Sequence, residues 1–205
     1  MRVIAIVQAR LGSIRLPEKV LQNICHKPLI ELLLARLSNS TQIDEIIVAS
    51  SKEPKNDKLQ LFVESLGFKC TRGSEEDVLH RFHESAKEMD ADAVVRITGD
   101  CPLIDPVIVD QCITKFKESN VDYFSNIDPA TFPDGLDVEV MSFKALEQAN
   151  LEAISSYDRE HVTTYIRNSE KFFKSSIRHI EDLSSFRWTV DEPEDLHVVR
   201  KIFQH

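Results

Sequence analysis

Four cysteines, Cys25, Cys70, Cys101 and Cys112, occur without a single C-x-x-C spacing. That removes the common zinc and dithiol patterns and leaves free thiols in a reducing compartment as the expectation. No apolar run reaches 18 residues, so no membrane-spanning helix is expected. No signal-peptide pattern precedes the first apolar segment, and a soluble, cytoplasmic chain follows as an expectation. Basic excess is lacking as well. Lys and Arg number 25 against 34 Asp and Glu, a net charge of −9, which argues against a general nucleic-acid binder with its basic face. Neither G-x-x-x-x-G-K-[ST] nor G-x-G-x-x-G is present. Low-complexity segments and internal repeats are absent too.

What remains is a chain of 205 residues, 42% hydrophobic, which suits one domain with a sizeable core. β-rich apolar runs at Val3–Val7, Glu45–Ala49, Phe68–Thr71, Ala93–Ile97 and Val121–Ser125 alternate with helical spacing at Leu29–Leu37, Asp57–Leu66, Asp77–Met89 and Val107–Glu118. Strand–helix–strand alternation predicts an α/β fold, a mostly parallel, Rossmann-like sheet flanked by helices. Right-handed crossovers then bring the loops after the strands to one edge, where open α/β sheets bind ligands. After Asn126 the pattern changes. Pro129, Pro133 and Gly135 mark loops, Leu136–Met141 alternates as a strand, and helices are expected over Phe143–Ala153 and Arg159–Arg167. Phe173–Ile177 and Phe186–Val190 read as strands, and Pro193 opens a last helix to Phe203.

The first strand runs into Gln8-Ala9-Arg10-Leu11-Gly12-Ser13-Ile14-Arg15-Leu16-Pro17-Glu18-Lys19. Loop N–H groups and the cations Arg10, Arg15 and Lys19 suit a polyphosphate, on an otherwise acidic chain. Thr98-Gly99-Asp100-Cys101-Pro102 follows the strand Ala93–Ile97 and puts Asp100 at the ligand edge, as a magnesium ligand or as a helix cap. Asp105, before Pro106, reads as the cap. In Thr189-Val190-Asp191-Glu192-Pro193-Glu194-Asp195, helix initiation accounts for most of the acids, and Asp191 alone stands where a second metal ligand would be wanted. Ser74 with Asp77 reads as a capping box. Asp137 and Glu139, two apart, would share one face of a strand, either a solvated edge or a set of sugar contacts. Arg159-Glu160-His161 reads as a surface helix. His80 and His83 share a helix face without a carboxylate at matching spacing and read as structural.

The phosphate loop resembles that of the sugar cytidylyltransferases, the acylneuraminate, ketodeoxyoctonate and spore-coat polysaccharide (SpsF-like) enzymes, with Ile14 where Thr is usual and Glu18 where Gly is usual. The likeness spans nearly the whole chain in order, and it implies a nucleotide-diphospho-sugar transferase type of sheet in one domain. Residues 1–125 would form the nucleotide half and 126–205 the sugar-binding and dimerisation half. It implies transfer from CTP to a sugar or sugar acid, giving a CMP-sugar and pyrophosphate. Gln8, Ala9, Arg10, Gly12, Ser13 and Lys19 would hold the nucleotide, and Arg72, Gly73, Asp77 and Val78 would border its base. Asp100 and Asp191 would bind Mg2+, and Asp137, Glu139, Arg159, Glu160 and His161 would face the sugar. Arg10, Arg15, Lys19 and Asp100 would serve catalysis, and a homodimer is plausible by the same resemblance. The rival readings are a nucleotide-sugar-dependent glycosyltransferase, which would normally show Asp-x-Asp after a central strand, absent here, and a non-catalytic nucleotide-binding module.

Overall fold

A computed structural model describes residues 1–204. Nine strands and eight α-helices follow in chain order among these residues: β1 (Val3–Gln8), β2 (Asn23–Ile24), β3 (Lys27–Pro28), α1 (Leu29–Leu37), β4 (Glu45–Ser51), α2 (Asp57–Ser65), β5 (Lys69–Gly73), α3 (Val78–Glu88), β6 (Ala93–Thr98), α4 (Pro106–Ser119), β7 (Tyr123–Ser125), β8 (Glu139–Ser142), α5 (Phe143–Glu152), α6 (Ser156–His161), α7 (Thr164–Asn168), β9 (Lys174–Ser176) and α8 (Pro193–Gln204). Seven strands form one sheet in the order β5-β4-β1-β6-β8-β7-β9. β8 runs antiparallel to both neighbours, and the other pairings are parallel.

β1 is buried along nearly its whole length, and its alternation separates the two cores. Val3, Ala5 and Val7 pack with Leu33 and Leu34 of α1, Val63 of α2 and Ile113 of α4. Ile4 and Ile6 pack with Leu79 and Phe82 of α3, Leu146 of α5 and Ile166 of α7 on the opposite face. A strand covered on both faces has no polar side to show, which is why its sequence is a continuous apolar run. A third cluster joins Leu16 of the loop after β1 to Leu196 and Val199 of α8, so the last helix anchors that loop.

The first half follows its sequence pattern closely. Asp105 caps α4, accepting from the Val107 N–H at 2.8 Å. The α3 cap is shifted: Asp77, rather than Ser74, is the capping residue and accepts from the His80 N–H at 2.9 Å, while the Ser74 hydroxyl accepts from the Asp77 N–H.

The second half departs in three places. The strand expected over Leu136–Met141 starts at Glu139, because Gly135 has a φ of +106° and packs where a Cβ would lie 2.6 Å from the Thr189 nitrogen. Phe186–Val190 is therefore a strap alongside that loop, bonded through the Asp134 and Trp188 N–H groups, and not a strand of the sheet. The helix expected over Arg159–Arg167 breaks at Val162, whose φ is 61° and ψ −59°. The Thr163 N–H closes a γ-turn onto the His161 carbonyl at 2.6 Å, and Val162, fully buried, holds the turn in place.

α3 and α6 are joined across the two halves by one ion pair. The Arg159 Nε and Nη2 donate to the Asp77 Oδ1 and Oδ2 at 2.9 and 2.6 Å, and the same guanidinium donates to Asn150. Burial alone would raise the Asp77 pKa, but Arg159 and the His80 N–H outweigh it and hold it low. A carboxylate depressed in the fold adds stability above its unfolded pKa of about 3.9 and loses it as pH falls further. Arg159→Ala should cost about 1–3 kcal/mol at pH 7, and Arg159→Lys should recover only part of that because it cannot bond both oxygens. Urea unfolding at pH 7 and at pH 3 checks this, with the gap to wild type narrowing at the lower pH.

Candidate active site

The loops after β1 and β6 leave adjacent parallel strands side by side. The Gly99 N–H donates to the Gln8 carbonyl at 2.8 Å, and a Cβ at Gly99 would sit 2.7 Å from that oxygen, so only glycine permits the approach. Above this junction lies a cavity of about 560 Å3, lined by Gln8, Ala9, Arg10, Gly12, Ser13, Arg15, Lys19, Thr98, Gly99, Asp100 and Asp191. The loop after β1 is fixed from below, where the Leu11 N–H donates to the buried Asn56 side chain at 2.8 Å. Glu18 has a φ of 50°, the left-handed region that glycine takes at least cost. Its carboxylate turns away from the cavity to Lys58 Nζ, 2.8 Å distant, so it does not stand against Lys19.

Lys19 is the centre of the site. Its Nζ donates to Asp100 Oδ2 and to Asp191 Oδ1, both at 2.7 Å. The lysine side chain is 15% exposed and each carboxylate 21%. Burial would lower the Lys19 pKa, but the Asp100 and Asp191 charges outweigh it and raise it. Burial would likewise raise the Asp191 pKa, and Lys19, Arg15 and Arg187 hold it low. The Val190 N–H donates to the Asp100 carbonyl at 2.9 Å and locks the two carboxylate-bearing loops together. Asp100 and Asp191 thus present hard oxygen atoms to one point from two sides. That donor set fits a divalent cation such as magnesium, which takes one or two carboxylates and leaves room for substrate oxygens.

Arg10 and Arg15 hang at the mouth. Arg10 pairs with Glu75 at 3.0 Å, and Arg15 with Asp191 at 3.3 Å and Glu192 at 3.2 Å. The expected base-side residues divide. Glu75 lies against the loop after β1, 3.0 Å from the position of a Cβ on Gly12, whereas Gly73 packs on the Arg81 side chain. Arg72 turns to the other side, donating to Gln60, Asp57 and the carbonyls of Ser51 and Glu53. Val78 is buried in the core, and Asp77 is spent on its cap and on Arg159.

The expected sugar-side residues separate as well. Asp137 is half-buried and near Asp100, and burial, with the charges of Asp134 and Glu139 against a smaller effect of Arg96, pushes its pKa up to about 6. Glu139 does not share an open face with it. Its side chain is buried, ion-paired with Arg96 and accepting from the Tyr123 hydroxyl at 2.6 Å. Burial would raise its pKa, but Arg96 holds it low. Arg159 is committed to Asp77, while Glu160 and His161 are exposed, the His161 ring resting on Tyr157 at a 4.3 Å centroid distance.

Three basic residues escape the sequence reading. Arg187 donates to Asp134, Asp191 and Asp195 and so braces one of the carboxylates that line the cavity, and its i,i+4 spacing to Asp191 is the one available hint. Arg96 sits within an apolar strand. Arg81 is 1% exposed, donates to the Ser74 carbonyl and keeps Nε and Nη2 unpartnered among the described residues. Burial, helped by Arg10, brings its pKa down to about 10. A lone arginine on a helix gives no warning of such burial.

A parallel α/β sheet with a cationic loop and two convergent carboxylates at its strand ends defines a nucleotide-handling transferase. A family model for cytidylyltransferases matches residues 4–200. An uncharacterized protein of Methanocaldococcus jannaschii is 37% identical over 210 residues, spanning 100% of this chain and 84% of that one. The spore coat polysaccharide biosynthesis protein SpsF of Bacillus subtilis is 30% identical, spanning 98% and 86%. A solved cytidylyltransferase structure from Leptospira borgpetersenii superposes with a TM-score of 0.95 at 31% identity, over 100% of this chain and 87% of that one. The chain belongs to the cytidylyltransferase family. Among the described residues no helix is long and apolar enough to cross a membrane.

The raised pKa of Asp137 has a measurable consequence. A carboxyl that folds into a less favourable setting for its charge subtracts stability once ionised, so the loss appears as pH rises from about 4 through about 6. A shift of about two units, reduced for partial solvent access, corresponds to about 1–2 kcal/mol. Asp137→Asn should therefore raise the melting temperature at pH 7 by about 2–8 °C without metal or nucleotide. The gain should vanish near pH 4, as thermal unfolding at both pH values will read.

Proposed function

We propose that this protein joins CTP to a hydroxyl of a sugar or sugar acid, releasing pyrophosphate. The observation that carries the reading is the Lys19 ammonium between Asp100 and Asp191, in a cationic cavity of nucleotide size, on a chain of this family.

In this reading the loop from Gln8 to Lys19 cradles the triphosphate through its N–H groups, and Arg10, Arg15 and Lys19 neutralise it. Asp100 and Asp191 would hold magnesium, which when bound places positive charge against phosphate oxygens. Lys19 then leaves the carboxylates for the phosphates, and its cation follows the charge that builds on the departing pyrophosphate. Asp137 orients the attacking hydroxyl. The hydroxyl oxygen bonds to the α-phosphorus in line with the breaking bond to the bridging oxygen, which leaves with the pyrophosphate, and the hydroxyl proton passes to solvent. The first 125 residues act as the nucleotide half and the remainder as the sugar half, with Arg159–Asp77 bridging them.

A pyrophosphate-release screen of four nucleoside triphosphates against neutral and acidic sugars tests the proposal. CTP with one sugar class, abolished by EDTA, supports it. Preference for another triphosphate contradicts the assignment of the base, and release of UDP or CMP from a nucleotide sugar indicates a glycosyltransferase. No turnover with intact CTP binding indicates a binding module. Lys19→Ala should weaken CTP binding about 10–100-fold, measured by calorimetry, and should lower stability as well, because Asp100 and Asp191 then face each other without a cation. Asp100→Asn should lower turnover by about 100-fold or more while the fold persists. Asp105→Asn should keep both turnover and stability, since asparagine caps a helix about as well, whereas Asp105→Ala should keep turnover and lose about 1 kcal/mol with its cap.

A further inference from the structure

On α3, beside its packed face toward β1, three side chains converge that the proposed reaction does not use. His80, His83 and Glu84 each bring one ligand atom to within 4.8 Å of the others. The His83 Nδ1 lies 3.0 Å from Glu84 Oε1, and the two imidazole rings stack at 6.4 Å. Glu84 is one turn beyond His80, so the i, i+3, i+4 pattern of a helix places all three on one stripe. The carboxylate that the sequence reading did not find at matching spacing is Glu84.

His83 is held from the other side. It is 7% exposed, its ring stacks on Phe143 at 5.5 Å, and its Nε2 is buried without a hydrogen-bond partner among the described residues. The acidic group facing that nitrogen is Glu147 of α5, with Oε1 at 3.9 Å. This is the arrangement of a metal-ligating histidine. One ring nitrogen is offered beside other donors, and the opposite nitrogen has a carboxylate 3.9 Å away, which a small side-chain shift would bring to the position that fixes the tautomer and strengthens a ligand. With a metal on Nδ1 the ring proton would reside on Nε2, where Glu147, moved closer by a side-chain rotation, would accept from it. His80 and Glu84 are exposed, so the ion has a path from solvent and a fourth position open to water.

We propose that His80, His83 and Glu84 form a surface site for a divalent transition-metal cation of the zinc type, supported by Glu147 and joining α3 to α5. Two imidazoles and one carboxylate suit zinc rather than magnesium, which prefers oxygen donors throughout. Bonds of about 2.0–2.1 Å place tetrahedral donors about 3.4 Å apart, a closure that rotation of the exposed His80 and Glu84 side chains supplies. The site is independent of the assignment of CTP and sugar.

Calorimetric titration of the intact protein with ZnCl2, in excess magnesium so that oxygen-only sites are occupied, tests this. One zinc per chain is expected at the site, with a melting temperature raised by about 5 °C or more at 100-fold excess over Kd. His80→Ala and Glu84→Gln, both on the surface and harmless to the core, should each weaken this binding at least about tenfold. Glu147→Gln should weaken it about 10–100-fold without removing a ligand. Visible absorption of bound Co2+ should disappear in His80→Ala. Absence of zinc binding overturns the proposal. So does zinc binding that His80→Ala and Glu84→Gln leave unchanged, since the metal would then lie elsewhere.

Discussion

Three segments far apart in the chain meet at one ammonium group. Lys19 comes from the loop after β1, Asp100 from the loop after β6, and Asp191 from the turn before α8. Two carboxylates this close and this sheltered would repel each other without a cation between them. The positive charge is therefore what allows the three loops to close on one cavity. Asp191 is also bonded by Arg187, and its backbone N–H donates to Asp195, so the contact extends from the loop after β1 through to the last helix. Leu16 packed on Leu196 and Val199 is the apolar counterpart of the same closure.

In the proposed function the same arrangement prepares the cavity for an anionic ligand. Every cation at its rim is already paired with a carboxylate: Lys19 with Asp100 and Asp191, Arg15 with Asp191 and Glu192, Arg10 with Glu75. In the proposed function a triphosphate would compete for those cations, and two of the acids it frees, Asp100 and Asp191, are the proposed ligands of a divalent ion. Side chains that exchange partners in this way cost little to reorganise, because neither the cations nor the acids are left bare at any stage. The net acidity of the chain does not oppose binding, since these charges are matched locally.

The sheet was legible because its code is local. The apolar run Val3–Val7, the helical spacing of Val78–Glu88 and the cap at Asp105 each need no knowledge of distant residues. The loop cations and Asp100 were legible for a related reason: strand ends in a parallel sheet lie at one edge whatever the rest of the chain does. Residues whose setting is made by tertiary packing were not. Alternation put Asp137 and Glu139 on one face, but nothing in it said that Arg96 and Tyr123, from neighbouring strands, would bury Glu139. The break at Val162 depends on a buried valine accepting a positive φ, which its local sequence disfavours. The strap at Phe186–Val190 has the composition of a strand, and it lies outside the sheet because Gly135 brings another loop against it. The burial of Arg81 and the reach of Arg187 to Asp134 were not legible because both are made by tertiary packing, and a single arginine in a helix or loop carries no mark of it.

The central claim is that Asp100 and Asp191 form one cation site on which nucleotide binding depends. The most direct measurement is the CTP dissociation constant of wild type and Asp191→Asn, each with and without magnesium. The account predicts that magnesium tightens CTP binding to the wild type and has little effect on Asp191→Asn, whose affinity without the metal stays close to that of the wild type. Equal tightening of both proteins by magnesium would contradict it.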